Sequence, residues 1–347
     1  MRKNRFIGVR LAIAALCGIA PPAMAQSSIN LWRGNESKAN WSDSYKWKLK
    51  HVPASGEAVH FRQANSVIVV NSTVGLDNSM QLYGQELSLE GNGNINLRSP
   101  VPNRNTVYIP ASATGYANLT LSDNLSINGQ VALAAKAYGT SASKGSVTLR
   151  DRSTIAGKLS IGNDGNGSGQ VFIRDQSVFR ISGLELHTLA GQGGSAEIHI
   201  LGGTARFESG TNPFEAFLAD SSRKIVLGDY GTLRIDSDLP IWKKKKALIE
   251  MIKKNRLVAA SGCKLNPPVF QKNMILLKAE TTKTPQRIEM LLADIENTET
   301  EPAPATETPG EETMAATASP IGYIVFLGAI LLFLRPAAKP ADPASNP

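Results

Sequence analysis

The most regular feature of this chain is an alternation of apolar and polar residues that recurs between Leu87 and Leu233. Each copy has two apolar residues two positions apart, then a turn residue, then a third apolar residue about six positions further on. The copies are Leu87/Leu89/Ile95, Leu119/Leu121/Ile127, Val147/Leu149/Ile155, Val171/Ile173/Phe179, Ile198/Ile200/Phe207 and Ile225/Leu227/Leu233. They begin 32, 28, 24, 27 and 27 residues apart, an interval typical of stacked supersecondary units. The fifth copy, with Phe207 as its third anchor, has a corner one residue longer than the others.

These anchors predict the fold. Successive side chains of a strand point to opposite faces, so the apolar anchors of each copy share one face. A single copy has nothing to bury that face against, whereas stacked copies bury it in continuous internal rows. The pattern predicts an all-β protein, a parallel β-helix (β-solenoid) of about six coils over residues 67–238.

A tryptophan-rich segment, residues 26–66, precedes the repeats and contains Trp32, Trp41 and Trp47. The first coil of a solenoid has an open end, and three large rings would cover its apolar rows and strand edges. The simpler interpretation is therefore an N-terminal cap. The alternative is a binding platform on which Trp41 or Trp47 stacks against sugar rings.

A basic segment follows the repeats at residues 239–293, which we interpret as a C-terminal cap. Residues 242–257 have apolar positions near helical spacing and lysines mostly on the other side, and Pro240 precedes them, so they predict an amphipathic helix. The lysine run Lys243–Lys246 is either a solvated helix face or a site for acidic glycan or lipid headgroups.

The first 25 residues have the parts of a secretory signal peptide. Basic residues precede the apolar run Leu11–Ile19, and Ala23-Met24-Ala25 supplies a cleavage site. After cleavage Cys263 would be the one remaining cysteine, so an intramolecular disulfide is excluded. A buried thiol is expected, and a dimer linked through Cys263 is the alternative.

The other end of the chain predicts an anchor. Residues 294–318 form an acidic Pro/Thr/Glu linker that cannot bury itself. Residues 319–347 contain the apolar run Ile321–Leu334 followed by Arg335, as expected of a single transmembrane segment with its C-terminus inside.

Several short motifs resemble one group of proteins. They are Trp32-Arg33-Gly34, Asn40-Trp41-Ser42-Asp43, Trp47, Val52 to Phe61, Ser160-Ile161-Gly162-Asn163 and Gly169 to Ile173. They are similar to bacterial secreted proteins built from autotransporter-associated β-strand repeats, many of which end in a PEP-CTERM sorting signal. The resemblance implies a right-handed β-helix at the cell surface or in the extracellular matrix, and it supplies no shared catalytic residues. The tail departs from the sorting signal, because Ser319-Pro320 stands in place of a Pro-Glu-Pro triplet.

Charge is distributed unevenly. Residues 26–293 contain 31 Lys and Arg against 21 Asp and Glu, a balance of +10, whereas residues 294–334 contain seven acids and no bases. A basic exported body favours anionic partners such as acidic polysaccharide or a membrane surface. No nucleic-acid-binding motif is present in the sequence, so nucleic acid is not an expected partner.

One position of the repeat carries repeated acids. Asp123, Asp151, Asp175 and Asp229 each follow the second anchor of their copy by two residues, and Arg150 and Arg174 stand beside two of them. Stacked carboxylates would suit Ca²⁺ binding or acid/base catalysis on polysaccharide. The alternative is that Asp simply favours corners, where its side chain bonds to backbone.

A second candidate is the loop beginning at Asp164. Asp164, Asn166, Ser168 and Asp175 place oxygen at positions 1, 3, 5 and 12 of a possible calcium loop. A flexible corner of Gly and Asn would have the same composition.

The sequence thus predicts an exported, surface-anchored structural or adhesive β-helix of the envelope or extracellular polysaccharide matrix, without enzymatic activity. Two alternatives remain: a β-helical polysaccharide lyase or glycoside hydrolase that uses the acid column, and a carbohydrate-binding protein that uses the tryptophans. A sorting protease that processes the tail is a further expected partner.

Overall fold

A computed structural model describes residues 28–34, 38–62, 66–83, 86–98, 106–110, 115–134, 143–284 and 286–298. The predicted signal peptide, the transmembrane or sorting tail and most of the acidic linker lie outside these residues. Among the residues described, no helix is both long enough and apolar enough to cross a membrane.

The regular elements of the first half of the described chain are strands and one short 3-10 helix. Its strands are β1 (Ile29–Trp32), β2 (Ala39–Asn40), β3 (Ala58–Phe61), β4 (Ser66–Val69), β5 (Thr73–Leu76), β6 (Met80–Leu82), β7 (Glu86–Glu90), β8 (Asn94–Leu97), β9 (Thr106–Ile109), β10 (Gly115–Leu121), β11 (Ser126–Asn128) and β12 (Gln130–Leu133). A 3-10 helix, Ser44–Lys46, lies between β2 and β3.

The second half adds further strands and short helices. The strands are β13 (Ser143–Leu149), β14 (Thr154–Gly165), β15 (Ser168–Arg174), β16 (Val178–Thr188), β17 (Ser195–Leu201), β18 (Thr204–Phe207), β19 (Arg223–Gly228), β20 (Thr232–Asp236), β21 (Leu257–Ala259), β22 (Cys263–Leu265), β23 (Val269–Gln271) and β24 (Met274–Thr281). The helices are α1 (Pro213–Leu218), α2 (Ile241–Lys253), α3 (Ile288–Asn297) and the 3-10 helix Ala190–Gln192.

These strands form a β-solenoid of about seven turns, with few helices. One sheet has the order β2-β4-β7-β10-β13-β15-β17-β19-β21. The other runs β1-β3-β6-β9-β12-β14-β16-β18-β20-β24-β22, and β5, β8 and β11 form a branch that joins it at β14. Pairing is parallel from β1 to β20, so each turn of the chain lies directly on the previous turn.

The predicted anchors stack in register. Leu119 pairs with Leu87 on one side and with Val147 on the other, and this row continues through Val171 and Ile198 to Ile225. Every residue in the row is at most 2% exposed. The parallel stacking of the anchors is therefore confirmed, and the core lies inside the coil.

Two details of the repeat prediction are wrong. Ser66, Ile68 and Val74 form an additional copy that pairs with Leu87, Leu89 and Ile95, which brings the solenoid above six coils. This copy does not fit the apolar pattern because Ser66 occupies the position of its first anchor.

The second error concerns the fifth copy. Ala205, not Phe207, lies between Phe179 and Leu233, and Phe207 instead continues the row of Ile181 and Ile235. The corner at Gly202 is thus one residue shorter than its neighbours, not longer.

The C-terminal end closes by reversing the chain. β24 runs antiparallel to β20 and covers the edge of the last parallel strand of that sheet. Helix α2 places Leu248, Met251 and Ile252 in the core. The helix ends at Lys253, earlier than the predicted residue 257, because Leu257 joins β21 and extends the anchor row beyond Ile225. Helix α3 extends to Asn297, so the beginning of the predicted linker is helical.

Candidate functional site

The three N-terminal tryptophans are buried, each 2% exposed or less. The ring centroid of Trp47 lies 4.8 Å from that of Trp32 and 5.0 Å from that of Trp41, with edge-on geometry. Trp47 Nε1 donates to the Trp41 carbonyl at 2.9 Å, and both Trp41 and Trp47 approach Phe61. A sugar ring can stack only on an accessible aromatic face. The buried rings therefore give no support to a sugar platform at Trp32, Trp41 or Trp47.

The aspartates of the predicted acid column occupy equivalent corners of the solenoid, and the backbone geometry of that corner explains why Asp recurs there. Asp123, Asp151, Asp175 and Asp229 all have positive φ, between 48° and 62°. Asp adopts this left-handed region more readily than most residues. Gly91 and Gly202, with φ of 117° and 92°, occupy the same corner in two other turns.

Three of the four carboxylates of this column bind backbone, and that of Asp229 faces the Cys263 thiol instead. The Asp123 carboxylate accepts from Gly91 N at 3.0 Å, that of Asp151 from Asp123 N at 3.2 Å, and that of Asp175 from Asp151 N at 3.1 Å. Each side chain thus satisfies the amide at the same corner of the preceding turn. Arg150 and Arg174 form no ion pair with these acids among the described residues; the Arg174 guanidinium lies 5.8 Å from the Phe172 ring centroid.

Two members of the predicted calcium loop, Ser168 and Asp175, lie at opposite ends of one strand. Asp164 lies in β14, Asn166 lies between strands, and Ser168 begins β15. Asp175 follows the other end of β15, about 20 Å away at the usual rise per strand residue. An extended strand replaces the curved loop that an EF-hand needs. Within the described part of the chain, no cluster of three or more His, Cys, Asp or Glu residues could hold a metal ion.

A different column carries free hydrogen-bonding capacity. Strand register places Arg180 of β16 beside Arg206 of β18, and Arg206 beside Arg234 of β20. Neighbouring strands are about 4.8 Å apart, so the three arginines form a ladder on the outer face of the sheet. The residues on either side of Arg206 are buried, which directs its side chain outward.

Asp236 orders the last two arginines of this ladder. Arg206 Nε and Nη2 both lie 2.7 Å from Asp236 Oδ2, and Arg234 Nε lies 2.7 Å from Oδ1. Burial would raise the pKa of Asp236, but the hydrogen bonds and charges of Arg234 and Arg206 outweigh it and hold that pKa below its usual value. The Arg206–Arg234–Asp236 triad therefore carries one net positive charge.

The triad lines a cleft of about 590 Å³. Each guanidinium has five N–H donors. Arg206 contacts the Asp236 carboxylate through two nitrogens, and Arg234 does so through one. Most N–H donors of the two guanidinium groups therefore have no protein partner within the described chain. The remaining lining residues are Glu208, Ser209, Asp238, Gln271, Asn273 and Met274.

A smaller cavity of about 180 Å³ shares Asp236 and Asp238 with this cleft and continues toward Phe214 and Leu239. The two together form a surface beside the last turns of the solenoid, polar in the larger cavity and more apolar in the smaller one. We call it the arginine cleft.

Comparison with known proteins gives no identification: no family model, no curated protein and no solved structure matches this chain.

The arginine cleft was not predicted from the sequence. Arg180, Arg206 and Arg234 each adjoin an anchor, but the choice of Phe207 as anchor placed Arg206 before its anchor, two positions out of line with Arg180 and Arg234. Correct alignment of Ala205 would have revealed three arginines at one repeat position.

Proposed function

We propose that this chain is an exported, surface-anchored structural or adhesive β-solenoid that holds acidic polysaccharide in the arginine cleft. In this proposal the coil is right-handed, as in proteins with autotransporter-associated β-strand repeats. Residues 1–25 direct export, and residues 319–347 anchor the product in a membrane or are cut by a sorting protease that releases it.

The observation that carries the proposal is the Arg206–Arg234–Asp236 triad. Its guanidinium groups are held in place by Asp236 but keep donors directed to planar acceptors, and guanidinium binds carboxylates in a bidentate manner. Glu208 and Asn273 in the same cleft supply acceptors and an amide for sugar hydroxyls. The whole lining has two arginines and three acids, so a uronic acid unit matches it with its carboxylate on the arginines and its hydroxyls facing Glu208 and Asp238.

Catalysis by the acid column receives less support from the geometry. General acid/base catalysis needs a carboxyl group that can reach substrate. The carboxylates of Asp123, Asp151 and Asp175 are instead bound to backbone amides of the neighbouring turn. We therefore assign these acids to the corners and the ligand to the cleft.

The test is binding of the purified protein to polygalacturonate, with uncharged dextran as the comparison polymer. Arg234→Ala should weaken binding at least tenfold, because charge-assisted hydrogen bonds contribute about 1.5–3 kcal/mol each. Arg180→Ala is the matched control, since Arg180 belongs to the same ladder but does not line the cleft. Equal affinity of the two variants, or equal binding of dextran, would contradict the proposal. Loss of polygalacturonate viscosity that disappears in an Asp151→Ala/Asp175→Ala variant would establish the enzymatic alternative instead.

A further inference from the structure

The lysines of helix α2 differ in whether their ammonium groups are exposed to solvent or bonded within the protein. Of the run Lys243–Lys246, Lys244 is fully buried, and its Nζ donates to the carbonyls of Gln271 and Lys272 at 3.1 and 2.7 Å. Lys245 Nζ donates to the Thr298 carbonyl. Lys243 and Lys246 remain exposed. Half of the run is therefore structural.

The exposed residues form a stripe along the helix. Trp242, Lys246 and Lys253 are separated by four and seven residues, which places them on one side of α2, opposite the buried Leu248 and Met251. Lys254 is exposed too, but it pairs with Glu250 at 2.7 Å. We call Trp242, Lys243, Lys246 and Lys253 the α2 stripe.

Trp242 distinguishes this stripe from an ordinary solvated face. It is 62% exposed, whereas the other three tryptophans of the chain are buried. The Lys243 ammonium lies 5.3 Å from its ring centroid, and Leu239, three residues earlier, is also partly exposed. An exposed indole among lysines is typical of proteins that lie at a membrane interface, where the ring enters the headgroup layer and the lysines meet anionic lipids.

We propose that the α2 stripe docks the folded domain on an anionic lipid surface. Charge complementarity supplies the attraction, because this face has three lysines that form no ion pair with any described residue, and Glu250, the acid of α2, is already paired with Lys254. The exposed Trp242 ring favours a lipid surface over a soluble polyanion, because a soluble polyanion would bind the lysines and leave the ring in water. The four residues of the α2 stripe are not among those that line the arginine cleft.

The test uses the full chain without its signal peptide and vesicles of phosphatidylcholine with or without phosphatidylserine. Trp242 is the reporter, because residues 319–347 contain no tryptophan and the other three rings are buried. Brominated lipids should quench Trp242 and shift its emission to the blue only when phosphatidylserine is present. Trp242→Phe should abolish the signal.

The variant Lys246→Gln/Lys253→Gln should weaken this partitioning roughly tenfold to thirtyfold. The matched control is Lys144→Gln/Lys158→Gln, which removes two exposed lysines from the solenoid strands. Equal quenching in neutral vesicles, or equal loss in both double variants, would overturn the proposal. Stronger protection of Trp242 from acrylamide by soluble dextran sulfate than by vesicles would also overturn it, in favour of a glycan partner.

Discussion

The two ends of the solenoid are closed by different chemistry. At the N-terminal end, Trp32, Trp41 and Trp47 pack edge to face beside the edge strands β1 and β2. At the C-terminal end, the antiparallel strand β24 covers β20, and the buried Lys244 ammonium binds two backbone carbonyls. The N-terminal end is closed mainly by aromatic rings, with one antiparallel bridge between Trp32 and Trp47. The C-terminal end is closed by a full antiparallel strand, the apolar side of α2 and one buried cation.

The two ends also differ in whether their buried polar groups have hydrogen-bond partners. The tryptophan cluster leaves Trp32 Nε1 and Trp41 Nε1 buried without a partner among the described residues. The lysine end satisfies its carbonyls, but burial lowers the pKa of Lys244, an effect that Asp238 partly offsets. The first turn thus leaves two ring N–H groups unsatisfied inside an aromatic cluster, whereas the last turn combines the apolar packing of α2 with hydrogen bonds from a buried lysine.

The largest expected effect is at the N-terminal end. Trp47→Ala should lower the free energy of unfolding by about 3–5 kcal/mol, because it removes a fully buried indole that contacts two others and Phe61. Chemical denaturation followed by far-UV circular dichroism measures this loss. Trp242→Ala is the control and should change stability by about 0.5 kcal/mol or less. Similar losses in the two variants would mean that the cluster does not stabilise the first turn.

The second prediction concerns pH at the same end. Burial, with a smaller contribution from the charge of Arg62, lowers the pKa of His60 from 6.5 to about 4. Between these values the unfolded chain binds a proton that the folded chain does not, so stability is complete above pH 6.5 and falls as the pH approaches 4. The loss at pH 4 should be about 3 kcal/mol, at about 1.4 kcal/mol per pKa unit.

The measurement is the pH dependence of the free energy of unfolding for the natural chain and for His60→Gln, which stays neutral. The difference between the two curves isolates His60, since the other titrating groups are common to both. A constant difference from pH 7.5 to pH 4 would show that the His60 pKa is not lowered by folding.

At the C-terminal end the expected effect is smaller. Lys244→Met keeps the approximate volume of the side chain but leaves the carbonyls of Gln271 and Lys272 without their donor, which should cost about 1–3 kcal/mol. Lys243→Met, on the exposed face, should be nearly neutral. Thermal or urea unfolding of both variants measures the two changes in stability. A more stable Lys244→Met protein would indicate that desolvation of the ammonium exceeds its hydrogen bonding.

The corners between the two ends should give the smallest effect. Asp151→Ala removes one acceptor for the Asp123 amide and puts Ala at a φ of 59°, for an expected loss of about 1–2 kcal/mol. Asp151→Asn keeps an acceptor oxygen and tolerates positive φ, so it should retain most of the stability. If Asn is as damaging as Ala, the negative charge rather than the hydrogen bond is what matters at this corner.

Prediction from sequence succeeded where periodicity alone was sufficient. The rows through Leu119 and Leu121 are aligned by apolar residues at fixed spacing, and these rows stack as expected. It failed where another residue replaced an anchor, as at Ser66 and Ala205. A serine or alanine can occupy an inward position because the neighbouring turns bury it, and no local pattern records that burial.

The candidate site shows the same limit. The acid column was visible because its aspartates recur at one position, yet the sequence alone could not distinguish a ligand site from a backbone ladder. The arginine cleft depends on Asp236, Asn273 and Gln271, which come from separate strands and turns that meet only when β24 reverses against β20.

The sequence by itself determined that successive copies stack in parallel, because residues that alternate every two positions must bury one face against the next copy. Only the tertiary structure decided which polar side chains remain available for a ligand. That availability depends on hydrogen-bond partners contributed by the adjacent turn, and residues about 30 positions apart in the chain supply them.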